Sequence, residues 1–581
     1  GDWNPLVSAN LPKRNTSTYT SVQDNFNIDW RIIPALRLQG RFSYTRQFDR
    51  RDLFKSPESL DYSTETDPKK KGSYYLVNSR SDRFDGNLTL AYNKTIDKHM
   101  LNVGVGSNIM QSETEGESFT GVGFINPDMN FIGAANAFQE NTSPQGTYDK
   151  SRLVGFFTNV NYGYGNRYFL DFSFRSDGSS KFGRNSRFAP FWSLGVAWNV
   201  HNESFWHAHE KNALKLRASV GSTGTTNFSS TQALTTYLYD FSREYNGNFG
   251  VSLAGYGNSS LKWQTTLSYN VGVDFTFLHG LVVFNGDFYI KNTRSLLLPV
   301  TVAPSTGFID YVENIGKLRN TGVEARLRFN LIQDAVKDLR WNVTLSAFHN
   351  RSKITQLSNQ LETINQYAND DRANQGTVVY RQFEAGRSQT ALMVVRSGGI
   401  DPATGNEIYI KRNGEMTFEY NHNDKIECGD MKPKIEGNVN TNLNWKGFNL
   451  YMLFKYQYGG KIYNATLASK VEGVNPLKNA DKRVLYDRWK EPGDHAKFRR
   501  IDDTSAPYQT TRLVFDNNLL ALQSVSLSYE LPRKISQKMY MERVKLLLSS
   551  TDLFRLSSVK QERGTSYPFA RTFSIGLNVT F

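Results

Sequence analysis

The sequence predicts an all-β fold, a transmembrane antiparallel β-barrel, and three observations lead to this prediction. Apolar and polar residues alternate along the last strand, the same alternation recurs along the chain, and short connections alternate with long ones. No stretch approaches the roughly 18 apolar residues of a membrane-spanning helix, and the mean hydropathy is −0.52. A membrane crossing by this chain must therefore use strands.

The C-terminal residues 571–581 form the clearest strand. Their apolar side chains fall on one face of an extended chain, and small polar residues fall on the other. The apolar set is Phe573, Ile575, Leu577, Val579 and Phe581. The last strand of a bacterial outer-membrane barrel has lipid on one side and water on the other, and it closes the cylinder. We therefore predict an outer-membrane location and a barrel-closing role for these residues.

Other segments repeat this alternation, most clearly at 166–177 and 188–199, where aromatic and aliphatic residues take every second position. Charged residues lie on the opposite face of several strands. They are Asp171, Arg175, Arg217, Asp274, Glu324, Arg326 and Arg328. Because unpaired charge in a dry core is too costly, the interior must be wet or filled by polar protein.

Strand counting by this rule gives about 17 strands. They are predicted at 24–32, 36–46, 82–93, 98–110, 151–164, 166–177, 188–199, 213–222, 264–277, 281–292, 319–331, 339–350, 436–446, 447–458, 519–530, 543–550 and 571–581. Tight turns at 33–35, 165, 278–280 and 446–447 alternate with long connections at 47–81, 111–150, 223–263, 293–318, 351–435 and 459–518. Short periplasmic turns and long external loops are typical of these barrels.

The strand count also sets the direction of the first strand. The final strand must end at the periplasm. With an odd number of antiparallel strands, the first strand runs in the same direction, from the outside toward the periplasm. Because single-chain bacterial barrels have an even number of strands, we expect an odd number of further strands upstream. The chain starts without Met or a signal segment, in agreement with this expectation. We interpret residues 1–23 as an external loop segment and 24–581 as the C-terminal portion of the barrel.

The net charge of +14 has three interpretations. Lysines and arginines can line a wet lumen and face lipopolysaccharide, or they can attract an acidic substrate. Nucleic-acid binding is disfavoured, because the basic residues are dispersed and no recognition motif is present. The single Cys428 excludes an intrachain disulfide framework.

No motif predicts an enzyme, a metal site or a resident cofactor. His201, His207 and His209 with Glu203 and Glu210 lie in a predicted periplasmic turn and lack a further spaced ligand pair. The segment D-P-A-T-G-N at 401–406 predicts a β-turn rather than a calcium loop. The small residues at 221–224 end a strand with no helix after them, and no G-x-S-x-G motif occurs.

Six segments together carry a family resemblance. They are R-Y-F-L-D-F-S-F-R-S-D-G-S-S-K-F-G at 167–183, L-K-L-R-A-S-V-G-S-T-G at 214–224, L-K-W-Q-T-T at 261–266, N-I-G-K-L-R-N-T-G-V-E at 314–324, G-I-D-P-A-T-G at 399–405 and S-Y-P-F-A-R-T-F-S-I-G-L-N-V-T-F at 566–581. In this order the chain resembles the C-terminal barrel portion of the SusC/RagA family, the TonB-linked outer-membrane transporters of Bacteroidetes. Two positions depart from the family: Gln264 replaces a usual acid, and Met431 interrupts a common Gly-Asp-Pro pattern.

The resemblance implies a 22-stranded barrel, so that about five strands and an N-terminal plug with its TonB-contacting segment lie outside this sequence. It implies TonB-dependent active import of a bulky nutrient, an oligosaccharide or oligopeptide, with a SusD-like surface lipoprotein as the lid. The charged lumenal residues named above would then hold the plug through charge-assisted hydrogen bonds.

External segments contain tyrosines suited to stacking on sugar rings or packing on peptide side chains. They are Tyr237, Tyr239, Tyr245, Tyr367, Tyr380 and Tyr463. Loop packing and contact with the lid are the alternative roles for these residues. Two other functions stay open: a passive porin-like pore, which would need no plug, and a docking or structural barrel that transports nothing.

Overall fold

The wall of the molecule is one large antiparallel sheet. The computed structural model describes residues 10–581 except 141, 143, 184–185, 208–210, 227–231, 256, 302–309, 315, 358–383, 476–479, 506 and 561–570. Eighteen strands of the described residues join this sheet. One of them, Ala137–Phe138, is a short addition, and the others are long. In the described part of the chain no helix is long and apolar enough to cross a membrane.

The described part of the chain contains 28 strands and few helical turns. In chain order the strands are β1 Lys13–Ile33, β2 Leu36–Lys55, β3 Ser73–Ile96, β4 His99–Val122, β5 Ala137–Phe138, β6 Gln145–Tyr164, β7 Tyr168–Ser179, β8 Phe188–Asn199, β9 Ala213–Thr225, β10 Thr236–Tyr245, β11 Asn248–Gly255, β12 Gln264–Phe277, β13 Val282–Arg294, β14 Leu297–Thr301, β15 Asp310–Asn314, β16 Lys317–Asp334, β17 Leu339–Gln356, β18 Ala391–Ile400, β19 Glu407–Ile410, β20 Met416–Thr417, β21 Lys425–Asp430, β22 Ile435–Trp445, β23 Phe448–Tyr458, β24 Lys461–Tyr463, β25 Val514–Asp516, β26 Leu519–Glu530, β27 Arg543–Ser557 and β28 Thr572–Thr580. A short α-helix, α1, spans Arg533–Lys538, and a π-helical turn spans Leu467–Glu472.

The long wall strands pair in the order in which they follow along the chain. The order is β1, β2, β3, β4, β6, β7, β8, β9, β12, β13, β16, β17, β22, β23, β26, β27 and β28, with each pair antiparallel. Tight turns join alternate pairs at one end of the wall. At one of them Lys446 and Gly447 have φ of 47° and 86°, as a two-residue hairpin turn requires. The predicted wall strands and the alternation of connections are confirmed.

One face of the wall carries an apolar row across neighbouring strands. Cross-strand register joins one residue from each of six neighbouring strands into a single apolar row. The row consists of Leu170, Val196, Ala218, Val271, Phe288 and Val323. Its large members are well exposed in the isolated chain, which is the expected state of a lipid-facing surface. We call the opposite face the lumenal face.

Several strands are much longer than the membrane requires. Strands β3 and β4 have 24 residues each, whereas about 9–11 residues cross a bilayer. The first strand begins at Lys13, so the prediction that residues 1–23 form a loop is wrong from Lys13 onward. Residues 13–23 pair with β2 but lack a regular apolar face, which is the pattern expected of a strand segment outside lipid.

The two edge strands of the wall run in the same direction. Within the described residues β1 pairs only with β2, and β28 pairs only with β27. Both strands end at the side of the tight turns. Direct pairing between these two edges would therefore be parallel in an otherwise antiparallel wall.

A folded module stands at the end of the wall opposite the tight turns. We call residues 384–430 and 459–518 the external module. Strands β18–β21 form its four-stranded sheet, and β24 pairs with β25. Leu392, Val394, Tyr463, Ala468 and Leu513 form its core. The segments 351–435 and 459–518, predicted as long connections, thus contain regular structure and a core of their own.

Candidate functional site

A charged cluster lies on the lumenal face at strands β9, β12 and β13. Arg217 donates from Nε to Asp274 Oδ2 at 2.8 Å, and its Nη1 lies 3.2 Å from Asp287 Oδ1. Asn285 Nδ2 donates to Asp274 Oδ1 at 2.8 Å. The Arg217 and Asp274 side chains are each about one-third exposed, at 32% and 31%. The cluster therefore holds its shape and still presents polar groups to the lumen.

Gly272 makes this cluster possible. It lies between Arg217 and Asp287 in cross-strand register. A Cβ at this position would lie 2.5 Å from Asp287 Oδ1 and 2.8 Å from Arg217 Cζ. The missing side chain lets a guanidinium on β9 reach across β12 to a carboxylate on β13.

A second lumenal cluster is built in the same way around Gly155. Arg175 Nε donates to Asp177 Oδ1 at 2.5 Å, and its Nη2 donates to Asn108 Oδ1 at 2.6 Å. A Cβ on Gly155 would lie within 2.6 Å of all three side chains. Farther along the same two strands, Asn161 Nδ2 donates to Asp171 Oδ1 at 2.6 Å. Asp171 and Arg175 are therefore both engaged on the lumenal face.

The remaining predicted lumenal residues lie on β16 beside the first cluster. Glu324 is opposite Asp287, and Arg326 is opposite Asn285. Arg328 Nε donates to Asn330 Oδ1 at 3.0 Å.

Sequence reasoning missed Asp287 and Asn285, although they alternate with Phe284 and Phe288 on β13 as the other lumenal residues do. That alternation was the available signal, and it extends to Asp177 and Asn108 in the second cluster.

Buried charge ties together the two halves of the external module. Arg512 Nη2 lies 2.9 Å from Glu407 Oε2 and 2.7 Å from Glu472 Oε1. Arg499 Nε lies 3.2 Å from the same Glu472 Oε1, and Thr510 Oγ1 donates to Glu407 Oε1 at 2.7 Å. Both glutamate side chains are fully buried. Burial of the Arg512 guanidinium lowers its pKa, whereas the charges and hydrogen bonds of Glu407 and Glu472 raise it. The effect of the two glutamates is larger, so the pKa of Arg512 lies above its ordinary value.

Tyrosines pack beside this network. The rings of Tyr420 and Tyr508 stack with centroids 4.2 Å apart, and Tyr409 meets both rings edge-on. Burial raises the pKa of the Tyr409 and Tyr420 phenols, since their ionised forms would be poorly solvated. The described parts of the external module are thus joined by buried ion pairs and packed rings.

The predicted external tyrosines separate into three groups. Tyr463 is 8% exposed and belongs to the core of the external module, which is the packing role weighed as the alternative. Tyr237 is 65% exposed on the β10–β11 hairpin. The side chains of Tyr239 and Tyr245 lie outside the described part, as do residues Tyr367 and Tyr380.

The C-terminal residues lie on the last wall strand and its end. Phe573, Ile575, Leu577 and Val579 face Ser550, Leu548, Leu546 and Val544 of β27, and Phe581 follows the strand. Their side chains share the apolar face of β28, and Ile575 and Phe581 are the most exposed. The described strand has a free edge beside them.

The described residues 200–207 of the polar turn are organised around Glu203. Its carboxylate accepts from Tyr168 Oη at 2.7 Å and from Trp198 Nε1 at 2.9 Å. His209 and Glu210 lie outside the described residues. Among the residues that are described, no group of three or more His, Cys, Asp or Glu side chains could hold a metal ion.

Comparison with known proteins agrees with the wall architecture. Residues 1–412 match the family model described as TonB dependent receptor-like, beta-barrel. The chain belongs to this family. The family comprises outer-membrane receptors and transporters of Gram-negative bacteria, and it is not a family of enzymes.

Among curated relatives, TonB-dependent receptor P3 of Formosa agariphila is 25% identical over 99% of the chain. TonB-dependent receptor SusC of Bacteroides thetaiotaomicron is 27% identical over 55% of the chain. The match covers 59% of the P3 receptor and 32% of SusC, so the chain spans only part of each of these relatives.

Among solved structures, the RagAB peptide transporter superposes with a TM-score of 0.86 at 21% identity. The match covers 99% of the chain and 63% of that structure's chain. A second RagAB structure, the peptide importer in its closed-closed state, gives a TM-score of 0.84. These matches show that the fold is that of this barrel family.

Proposed function

We propose that this chain forms most of the wall of a TonB-dependent importer. The importer would carry a bulky nutrient, an oligosaccharide or an oligopeptide, across the outer membrane, with a SusD-like lipoprotein as its lid. The observation that carries the proposal is the pair of lumenal charge clusters around Arg217 and Arg175. Partly exposed charges on the lumenal face suit a lumen filled by a polar plug, and they do not suit a dry core.

Further strands would complete the wall. Because β1 and β28 run in the same direction, an odd number of strands between them would keep every pairing antiparallel. Backbone groups at an open edge inside lipid are costly, so both edges need partners. The described residues from Lys13 onward would then be the C-terminal portion of a larger barrel.

Energised uptake is the first test of the proposal. Uptake of labelled oligopeptides and oligosaccharides is compared in cells with and without this protein, in the presence or absence of an uncoupler. We expect uptake that needs both the protein and the proton-motive force. Uptake that persists with the uncoupler would support a passive pore, and uptake that does not depend on the protein would support a docking barrel.

The plug role of the lumenal charges has its own test. Arg217→Gln removes the cation between Asp274 and Asp287, so the plug should loosen and the cells should admit small antibiotics. The matched control is Lys337→Gln in a tight turn, where the side chain is 74% exposed. Equal permeability of the Arg217 variant and the wild type would contradict the plug role.

A further inference from the structure

The lumenal face of the wall changes character from one set of strands to the next. The Arg175 and Arg217 clusters lie on strands between β4 and β13, and the charged residues Glu324, Arg326 and Arg328 follow on β16. The next six strands around the wall are β17, β22, β23, β26, β27 and β28. Their lumenal side chains are of a different kind.

Cross-strand register places six uncharged side chains of these strands in one lumenal row. The row consists of Asn342, Asn442, Tyr451, Ser526, Ser549 and Ser574. The next lumenal row toward the external end runs from Thr344 to Thr572 and is also uncharged. We call these two rows the neutral sector. Charged lumenal residues of the same strands, such as Lys455 and Lys545, lie on either side of it.

The chemistry of the neutral sector suits passing contact with a polar nutrient. Every side chain in it except Leu453 carries a hydroxyl or an amide, which forms hydrogen bonds without a fixed charge. Charge-assisted hydrogen bonds are about twice as strong as neutral ones, so a polar plug is held more tightly by the charged clusters. A transport path needs contacts that form and release easily, and neutral groups at several sites provide them.

The neutral sector also has room beside it. On β26, β27 and β28 all its members are serine or threonine, whose side chains are short. Toward the tight turns it continues into a lumenal hollow of about 750 Å³, lined by Asn444, Asn449 and Ser528, with charged residues nearer the turns. Asn449 Nδ2 donates to Asn444 Oδ1 at 2.6 Å, so the amides of this hollow are held in place.

The external module is connected to the same strands. Residues 384–430 lie between β17 and β22 in the chain, and residues 459–518 lie between β23 and β26. Four of the six strands that carry the neutral sector therefore lead directly into the module. The module and the neutral sector thus belong to the same side of the wall.

We infer that the imported nutrient passes along the neutral sector, between this side of the wall and the plug. The inference rests on the proposed import function and locates the passage within the lumen. During import the plug stays bound to the charged clusters and separates from the neutral side, where it has only uncharged partners. The nutrient then exchanges one hydroxyl or amide contact for the next as it moves.

The test measures which lumenal positions open during energised uptake. Ser526→Cys and Ser549→Cys lie in the neutral sector, and Ser219→Cys and Ser193→Cys lie on the lumenal face of β9 and β8. Cells with the complete transporter are treated with a water-soluble maleimide on a polyethylene glycol chain, with and without an uncoupler. Modification is read at each introduced cysteine by peptide mass, which separates it from the native Cys428.

We expect modification of Ser526→Cys and Ser549→Cys in energised cells, and loss of that modification with the uncoupler. Ser219→Cys and Ser193→Cys should stay unmodified in both conditions, because the plug covers them. In the wall alone Ser219 and Ser193 are exposed, whereas Ser526 and Ser549 are half-buried, so the wall itself would give the opposite order. Modified Ser526→Cys should lose energised uptake of labelled oligopeptides and oligosaccharides, because the attached polymer fills the passage.

Three results would overturn the inference and leave the proposed function standing, provided that uptake still needs the protein and the proton-motive force. They are equal modification at all four positions, modification only at Ser219→Cys and Ser193→Cys, and no modification of Ser526→Cys. If modification of Ser526→Cys and uptake both persist with the uncoupler, the location of the passage is supported and energised import is refuted. Uptake that does not depend on the protein would refute both.

Discussion

Removing Arg512 should open the external module without disturbing the wall. Arg512→Met leaves Glu407 and Glu472 facing each other in a buried site without their shared cation. Breaking a buried ion pair by removing one partner costs about 3–5 kcal/mol. The equilibrium for opening the module should therefore shift by about two to four orders of magnitude.

The only cysteine of the chain reports on this opening. Cys428 packs against the core of the external module, and its Sγ donates to Leu392 O at 3.3 Å. Burial raises the pKa of its thiol and so lowers the reactive thiolate fraction. We expect the maleimide labelling rate of the Arg512 variant to rise with the opening equilibrium, up to the rate of an unprotected thiol.

Two further variants make the experiment decisive. Lys497→Met breaks an exposed ion pair, which is worth about 0–1 kcal/mol, so its labelling rate should stay near that of the wild type. Arg512→Met combined with Glu407→Gln removes the uncompensated charge and leaves Glu472 paired with Arg499, so it should recover most of the protection. A labelling rate for Arg512→Met equal to that of Lys497→Met would refute the reasoning.

Three other predictions concern the wall and the module core. Gly272→Ala should destabilise the wall by about 1–3 kcal/mol in thermal unfolding, whereas Gly195→Ala, whose nearest neighbour would be 3.7 Å away, should be tolerated. Ile575→Lys on the apolar face of β28 should cost about 2–4 kcal/mol on refolding into a bilayer, while Asn578→Lys on the opposite face should be tolerated. Burial raises the pKa of Tyr463 above its ordinary value of 10.0, so the unfolded module loses this proton before the folded one does. The free energy of unfolding of the module should thus stay constant below about pH 10 and decrease above it. With unfolding followed by near-UV circular dichroism, Tyr463→Phe should make this decrease smaller.

The sequence predicted the wall within the lipid band and lost accuracy beyond it. Inside the band, lipid on one side and water on the other impose an alternation that can be read residue by residue. Above it both faces of a strand meet water, so residues 13–23 of β1 and the outer parts of β3 and β4 pair without that pattern. The tight turns were predictable because few residues separate the alternating segments.

The external module was missed for a different reason. Its strand β18 begins with five successive buried residues, Ala391–Val395, so it shows no alternation at all. A short continuous apolar run between turn residues is consistent with a fully buried strand, and this was the available signal. The sequence contained no comparable signal for the buried ion pairs. Glu407, Glu472 and Arg512 are far apart in the chain, and only the fold brings them together.

The same residue types serve different purposes in the two parts of the molecule. The Arg217 cluster is about one-third exposed, so water can solvate whatever charge a substitution leaves behind, and the wall should survive its loss. The glutamates around Arg512 are fully buried, so an uncompensated charge there has no solvent and the module must open to relieve it. A neutral substitution that changes permeability at Arg217 therefore reports on the lumen, whereas one at Arg512 reports first on folding.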